Sequence, residues 1–446
     1  MATTGVKGVG GEDKGTHASI RQIAFASFIG TAIEWYDFYL YGTAAALVFP
    51  KLFFPKFSPL AATLASFATF GVGFFARPVG GVIFGHFGDR VGRKSMLVIT
   101  LLVMGGATFA IGLLPSFEFV GILAPILLVV LRFLQGFAVG GEWGGATLMT
   151  VEHAPEASRN FYASWPQLGP GTALMLSSAV FAVFSSLPDE QFFSWGWRVP
   201  FLLSIVLIGV GLFVRLRVVE SPAFIQVKEL RAESKMPLLE VLQHYPIAVI
   251  LAVGVVLINS GGFYIVTTFT VSYITSLGVP RNVPLIGTLL AGVVEIPAIL
   301  IFARVADRAG KRPLAIWSAA GVFVFSYPYF WLIDTRSPAM IQVAMSAWVF
   351  LAAVLYGITG VFIAELFPAR VRYSGISLGY QMAGMLGGAF APLVATGLLQ
   401  WSGGTSWPVA TYLAVMALIT LISVCLVTDR FRVGIYDQRN MVPPPG

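Results

Sequence analysis

Twelve long apolar stretches run through this sequence and constrain its fold more than any other feature. A helix needs roughly 20 apolar residues to cross a bilayer, and in lipid each segment must satisfy its own backbone hydrogen bonds. Only 11% of the 446 residues are charged, against about 25% in soluble domains. A soluble protein is therefore excluded, and twelve membrane helices are predicted at about 23–49, 59–84, 95–114, 121–150, 160–187, 197–216, 246–276, 283–303, 314–333, 340–363, 375–400 and 407–427.

Most of the 28 lysines and arginines fall in loops and tails on the side that carries both termini. This bias predicts that both termini are cytoplasmic and that the net charge of +7 marks topology, not nucleic-acid binding. The chain is expected to lie in the inner or plasma membrane, without a signal peptide. We predict a tail at 1–22, a six-helix bundle at 23–216, a linker at 217–245, a second bundle at 246–427 and a tail at 428–446.

An internal repeat supports the division into two bundles. The loop GHFGDRVGRK at 85–94 recurs as ARVADRAGKR at 303–312. A second match follows the fourth and tenth predicted spans, where Glu152 and Arg159 correspond to Glu365 and Arg372. The two matches have nearly the same offset, which indicates two parallel repeats with a substrate site near the midplane between them.

Several motifs resemble a known family of transporters. The loop at 85–94 fits the signature that follows the second helix of the major facilitator superfamily. The stretches GTAIEWYDFYLYG, FFARPVGG, RFLQGFAVGGEWGGA, GWRVPF, ESPAF and AELFPARVRYSG are together similar to its metabolite:proton symporter family. Known members carry proline and betaine, α-ketoglutarate, citrate or shikimate, and the first half of the chain is closest to shikimate-type members.

This resemblance implies an all-α membrane protein in which twelve transmembrane helices form two pseudo-symmetric six-helix bundles. The implied activity is import of a small organic acid or zwitterion in symport with protons, by alternating access. We expect a functional monomer in the lipid bilayer that binds a small-molecule substrate and protons but no nucleic acid. Neither a cofactor nor a metal is expected.

Ionisable residues within the spans are functional candidates, because burying them in lipid is costly. In related sugar symporters an acid of the first helix pairs with an arginine of the fourth and acts as the proton switch. The resemblance places Asp37 at that acid's position, so we predict proton coupling by Asp37 and Arg132, with Glu34 on the same helical face. A static ion pair that fixes helix register is the alternative.

Arg77 and Glu295 occupy the same position in the two repeats with opposite charge. We expect Arg77 to attract a substrate carboxylate and Glu295 to interact with a positive centre, a proton or a gating partner. Pairing of each residue within its own half, for example of Arg77 with Glu142, is the alternative. The predicted substrate-binding residues are Arg77, Tyr41, Gln135, Glu142, Tyr264, Glu295, Tyr356 and Gln381.

The repeated loops are predicted to gate conformational change, because their glycines permit close helix approach and their charges can bridge helix ends. Ala303 replaces the expected glycine in the second copy, so any latch there is expected to be looser. The predicted gating residues are Gly85, Asp89, Arg90, Gly92, Arg93, Asp307, Arg308, Glu152, Arg159, Glu365 and Arg372.

Three other functions are alternatives to symport. Proton-driven efflux is one, since GPG at 169–171 partly matches a motif of drug-efflux antiporters. A transport-like nutrient sensor is another, although the predicted tails are short for a signalling domain. An enzyme is not expected, because the sequence has no phosphate loop, metal-binding histidine–carboxylate cluster or nucleophile motif. The single cysteine, Cys425, excludes a disulfide framework.

Overall fold

A computed structural model describes residues 20–91, 93–140, 147, 150–151, 154–217, 237–368 and 371–428. Within these ranges the side chains of 82, 84–91, 93–97, 214–217 and 237–238 are not described. The predicted Glu142, Glu152 and Gly92 lie outside the described residues, as do the side chains of Asp89, Arg90 and Arg93.

The described residues form twelve long helices, which we number α1 to α12. Their bounds lie within a few residues of most of the predicted spans, although α2 continues through part of the repeated loop. The helices are Ile20–Leu47, Pro59–Val91, Arg93–Leu113, Leu123–Val139, Trp165–Ser185, Ser204–Arg217, Pro246–Ser276, Asn282–Ala309, Lys311–Asp334, Pro338–Ala364, Arg372–Trp401 and Trp407–Leu426.

Most of these helices are apolar on every side, as membrane helices must be when one face meets lipid and another meets protein. Nine helical stretches among the described residues are long and apolar enough to cross a membrane, and Val98–Leu113 and Leu123–Val139 are shorter apolar helices. Large apolar side chains such as Val183, Ile250 and Val324 are about 70% exposed on the bundle surface. This surface suits contact with lipid.

The same helix pairs pack together in both halves of the chain. In the first half α1 packs against α5, α2 against α4 and α3 against α6. In the second half α7 packs against α11, α8 against α10 and α9 against α12. The halves meet mainly through α5 with α8 and through α2 with α11. The predicted all-α fold of twelve membrane helices in two pseudo-symmetric six-helix bundles is confirmed.

Helices α2 and α4 approach until their backbones touch. A Cβ atom added at Gly136 of α4 would lie 1.9 Å from the carbonyl oxygen of Gly73 in α2. One added at Gly80 would lie 1.7 Å from the carbonyl oxygen of Phe137. Only glycine permits this approach. The close contact fixes the section of α2 that carries Arg77 against α4.

Helices α7 and α11 each contain π-helical turns where they meet. These turns span Ile258–Gly262 and Ile265–Phe269 in α7 and Gly384–Ala389 in α11. A Cβ atom at Gly387 would lie 2.6 Å from the backbone nitrogen of Gly261. Such turns interrupt the regular hydrogen-bond ladder and often mark functional segments. Here the first turn of α7 contacts the turn of α11 directly.

Candidate substrate-binding site

A cavity lies between the two halves near the middle of the bundle. Its walls come from α1 and α2 of the first half and from α7, α8, α10 and α11 of the second. The lining residues are Trp35, Tyr39, Phe74, Arg77, Val256, Asn259, Ser260, Phe263, Tyr264, Glu295, Val349, Ala352, Ala353, Tyr356, Thr359, Tyr380 and Gly384. Aromatic rings and a few polar groups therefore share one site, as is typical of small-molecule sites.

Arg77 is the cation of this lining. Its side chain is 2% exposed, and its guanidinium carbon lies 4.0 Å from the ring centroid of Phe38, 4.8 Å from that of Phe74 and 5.4 Å from that of Trp35. These rings stabilise the cation through cation–π contacts. Its Nε and Nη2 atoms have no hydrogen-bond partner. The guanidinium can therefore still bind an anion.

Glu295 of α8 is the acidic residue of the same lining. It is 2% exposed, and its Oε2 atom accepts no hydrogen bond. No ion pair closer than 4.0 Å joins it to Arg77, although both residues are described. Both side chains interact electrostatically with the buried Tyr39. Arg77 and Glu295, which occupy equivalent positions in the two repeats, thus line one cavity without forming an ion pair with each other.

Of the predicted substrate contacts, Arg77, Tyr264, Glu295 and Tyr356 line this cavity, whereas Tyr41, Gln135 and Gln381 do not. The Tyr41 hydroxyl donates to Thr69 Oγ1 at 2.8 Å, so this side chain faces α2 instead. Sequence reasoning missed Trp35, Tyr39 and Phe74 as lining residues. The four-residue spacing of Trp35 and Tyr39, which marks a second face of α1, was the available signal.

The predicted proton-coupling residues lie beside the cavity in a buried polar network. Asp37 is 2% exposed, lies next to Thr108 of α3 and is within electrostatic reach of Arg132. Gln135 Nε2 donates to Thr108 Oγ1 at 2.6 Å. Arg132 Nη1 donates to Gln135 Oε1 at 3.1 Å. Thr108 and Gln135 therefore link the acid to the arginine.

The expected direct pairing of Asp37 with Arg132 is not found among the described residues, because other groups hold the guanidinium. Arg132 Nε donates to the carbonyl oxygen of Phe70 at 3.3 Å, and its Nη2 atom has no partner. Its guanidinium carbon lies 4.1 Å from the ring centroid of Phe38 and 4.3 Å from that of Tyr41. These contacts replace the close ion pair that the sequence predicts.

Glu34, the third predicted coupling residue, is also buried on α1, with 2% exposure. It lies within electrostatic reach of Tyr264 and Tyr380, which both line the cavity. The three predicted coupling residues thus differ in position. The charge of Glu34 acts on the cavity tyrosines Tyr264 and Tyr380, whereas Asp37 and Arg132 belong to the network with α3 and α4.

Arg281 joins the two halves on the predicted outer side. It precedes α8 and donates to the carbonyl oxygens of Ser185 at 2.8 Å and Leu187 at 2.9 Å, which lie at the end of α5 and just after it in the other half. It also forms a 2.5 Å ion pair with Asp189. The hydrogen bond from Arg281 lowers the pKa of Asp189 below its ordinary value of 3.8. We call these Arg281 contacts the outer clasp.

Asp307 joins the halves on the predicted inner side. It lies in α8 within the second copy of the repeated loop, and its carboxylate accepts from the backbone N–H of Asn160 at 2.9 Å and of Phe161 at 3.2 Å. Asn160 Nδ2 also donates to it at 2.8 Å. The described contacts therefore hold the halves together on both sides of the cavity.

The remaining described gating residues lie near the same inner face. Lys311 forms a 2.7 Å ion pair with Glu365 between the start of α9 and the end of α10. Arg372 is buried and donates from Nε to the carbonyl oxygens of Ala364 and Phe367, both at 3.1 Å. Arg159 is buried at the start of a short helix, Arg308 is exposed, and the backbone of Gly85 lies within α2.

Comparison with known proteins places this architecture in a family. The family model of the Major Facilitator Superfamily matches residues 27–392. The chain is 44% identical over 424 residues to the shikimate transporter of Escherichia coli strain K12, a match that covers 92% of this chain and 95% of that protein. It is 32% identical over 420 residues to the proline/betaine transporter of the same strain, covering 91% and 82% of the two chains.

A D-xylose–proton symporter of known structure has the same fold, with a TM-score of 0.71 at 19% identity over 90% of this chain and 97% of that one. The curated relatives are transporters and not enzymes. The resemblance that the motifs indicate is therefore confirmed across almost the whole chain. On this evidence the chain is a multi-pass membrane transporter that belongs to the Major Facilitator Superfamily.

Proposed function

We propose that this transporter imports a small organic acid or zwitterion in symport with protons, by alternating access. The observation that carries the proposal is the Arg77 guanidinium, which is buried in the cavity with two nitrogens lacking a partner. Burying an uncompensated charge is costly, and the planar fork of an arginine fits a carboxylate well. A substrate carboxylate bound to Arg77 would remove this cost.

The aromatic lining supports a substrate with a small carbon frame. Tyr39 lies 5.5 Å from Trp35 and 5.6 Å from Phe263, measured between ring centroids, and the three rings form one wall. The relatives are named as transporters of shikimate and of proline and betaine. Each of these compounds combines a carboxylate with a compact carbon frame. A molecule of this kind could place its carboxylate on Arg77 and its frame on the rings.

Proton coupling is assigned to Asp37, with Glu34 and Arg132. Asp37 and Arg132 are linked through Thr108 and Gln135, so protonation of the carboxylate changes the charge balance around the guanidinium. Protonation can drive transport only if it stabilises one conformation more than another. Separation of the halves at α5 and α8, alternately on each side, would supply these conformations. We place both termini in the cytoplasm and expect a functional monomer.

Uptake into proteoliposomes tests the proposal. Purified protein should accumulate shikimate, proline or glycine betaine when an inward proton gradient is imposed, and accumulation should fall when the gradient is dissipated. Arg77→Lys should weaken substrate binding by about tenfold or more, because a charged hydrogen bond contributes about 1.5–3 kcal/mol and lysine lacks the fork. Arg336→Lys, at an exposed position, is the matched control.

Two results would contradict the proposal. If no compound of this class accumulated with the gradient, the symport function would be wrong. If Arg77→Lys bound substrate like the unmodified protein, the carboxylate site would have to lie elsewhere. Efflux in the opposite direction under the same gradient would favour the antiporter alternative.

A further inference from the structure

Glu295 gives the cavity a second charged end whose role differs from that of Arg77. Arg77 and Glu295 are the charged residues of the lining, they come from equivalent helices of the two halves, and no close ion pair joins them. Each has at least one buried polar atom without a partner. Since buried polar groups are normally satisfied, a ligand that reaches both residues is the simplest way to satisfy them.

The surroundings of Glu295 hold its carboxylate in place. A Cβ atom at Gly171 of α5 would lie 3.0 Å from Glu295 Oε2, so the carboxylate lies directly against that helix. Three residues before Glu295, a Cβ atom at Gly292 would lie 2.8 Å from the carbonyl oxygen of Gly171, so α5 and α8 approach each other closely here. Tyr356 is within electrostatic reach of Glu295 on the cavity side. The carboxylate therefore has little room to withdraw from a ligand.

An ionised carboxylate accepts hydrogen bonds and donates none. It therefore stabilises a hydroxyl, an ammonium or a quaternary ammonium group, and it repels a second carboxylate in a site of low dielectric constant. A binding site discriminates between two ligands when one of its groups weakens the binding of the unwanted ligand.

We propose that Glu295 determines substrate class by accepting the hydroxyl-bearing or cationic end of a monocarboxylate and by rejecting dicarboxylates. This inference rests on the proposed function of the cavity, in which Arg77 binds the first carboxylate. Under this inference the transported substrates have one carboxylate at one end and a hydrogen-bond donor or a positive charge at the other.

Competition binding to the purified protein at pH 9, an alkaline pH that favours the ionised form of a carboxyl group, tests the inference without requiring proton coupling. The probes are shikimate and glycine betaine as monocarboxylates, cyclohex-1-ene-1-carboxylate as a monocarboxylate without donors, and succinate and α-ketoglutarate as dicarboxylates. In the unmodified protein, shikimate or betaine should bind at least about tenfold more tightly than the other three probes.

Glu295→Gln removes the charge with little change of shape. It should reduce the preference for shikimate or betaine over the dicarboxylates by about tenfold, whereas Glu295→Asp should retain the rejection of dicarboxylates. Glu118→Gln, at an exposed position in the short helix Phe117–Val120, is the matched control and should leave the preference unchanged. Thermal unfolding and size-exclusion profiles report whether each variant is folded.

Three negative results are possible in these binding experiments, and each has a different consequence. If the unmodified protein bound succinate as tightly as both shikimate and glycine betaine, the inference would be overturned without any variant. An unchanged preference in a folded Glu295→Gln protein would overturn it as well, while leaving the role of Arg77 intact. If none of the monocarboxylates bound to the unmodified protein, both the proposed function and this inference would be wrong.

Discussion

Arg77 and Arg132 lie against the same aromatic ring. Their guanidinium carbons are 4.0 and 4.1 Å from the ring centroid of Phe38, which lies in α1 next to Asp37. One arginine lines the cavity, and the other belongs to the polar network with Gln135. Phe38 is therefore the direct contact between the proposed substrate site and the proposed proton site.

Replacing Phe38 with Leu should weaken substrate binding and the coupling to protons together. A desolvated cation–π contact contributes about 2 kcal/mol, and leucine has no ring to stabilise either guanidinium. Binding affinity and the accumulation ratio under a proton gradient are the measurements. Phe25→Leu, at an exposed position of the same helix, should change neither. Normal accumulation by a folded Phe38→Leu protein would contradict the coupling role.

Replacing Asp37 with Asn should abolish accumulation driven by a proton gradient while preserving exchange of labelled for unlabelled substrate. The amide cannot change charge, so it cannot transmit protonation to Arg132, but it can still occupy the same buried position beside Thr108. Parallel uptake and counterflow assays separate the two properties. Gradient-driven accumulation by a well-expressed Asp37→Asn protein would indicate instead that this carboxylate has a structural role.

Replacing Gly136 with Ala should destabilise the first bundle by about 1–3 kcal/mol, because the new Cβ atom would lie 1.9 Å from a backbone oxygen of α2. No side-chain rotation can relieve such a contact. Gly106→Ala is the matched control, since no atom lies within 4 Å of its added Cβ. Thermal unfolding in detergent should show a lower midpoint for the first variant, whereas the second should be unchanged or slightly more stable.

Breaking the outer clasp should expose the α5–α8 interface. Ser178 Oγ accepts a 2.8 Å hydrogen bond from Thr288 below the clasp, so a cysteine at Ser178, in a Cys425→Ser background, reports opening. Asp189→Asn should raise its labelling rate by at most about fivefold, because exposed ion pairs are weak. Arg281→Ala should raise the rate further, because it also removes two hydrogen bonds to carbonyl oxygens.

A membrane-impermeant thiol reagent applied to the predicted outer side measures this rate. Arg336→Ala removes another exposed arginine of that side and is the control. Equal labelling of the Arg281→Ala and control proteins would show that the clasp does not hold this side closed.

The outer clasp should be insensitive to pH between 5 and 8. The hydrogen bond from Arg281 lowers the pKa of Asp189 below 3.8, so the carboxylate stays ionised throughout this range. A group with a lowered pKa loses its stabilising effect only when the pH falls through that lowered value. Labelling at Ser178→Cys, normalised to an exposed cysteine at Phe119, should therefore be flat in this range. A rise as the pH falls from 8 to 5 would indicate another titrating group.

The sequence alone was sufficient to predict the number of membrane helices, the repeat and the family. Apolar length predicts a membrane helix without reference to its neighbours, and the repeated loops mark equivalent positions in the two halves. The same repeat predicted Arg77 and Glu295 as an equivalent pair, and both line one cavity. These features depend on local composition and spacing, which a sequence displays directly.

Only the tertiary structure decided which side of each helix meets the cavity. In α1 it is the side of Trp35 and Tyr39, whereas Tyr41 faces α2 and Asp37 lies beside Thr108. A membrane helix that is apolar on all sides has no periodicity that separates lipid from protein contacts. The outcome depends instead on how closely glycines let helices approach and on which distant groups reach each charge. Those contacts exist only once all twelve helices are packed.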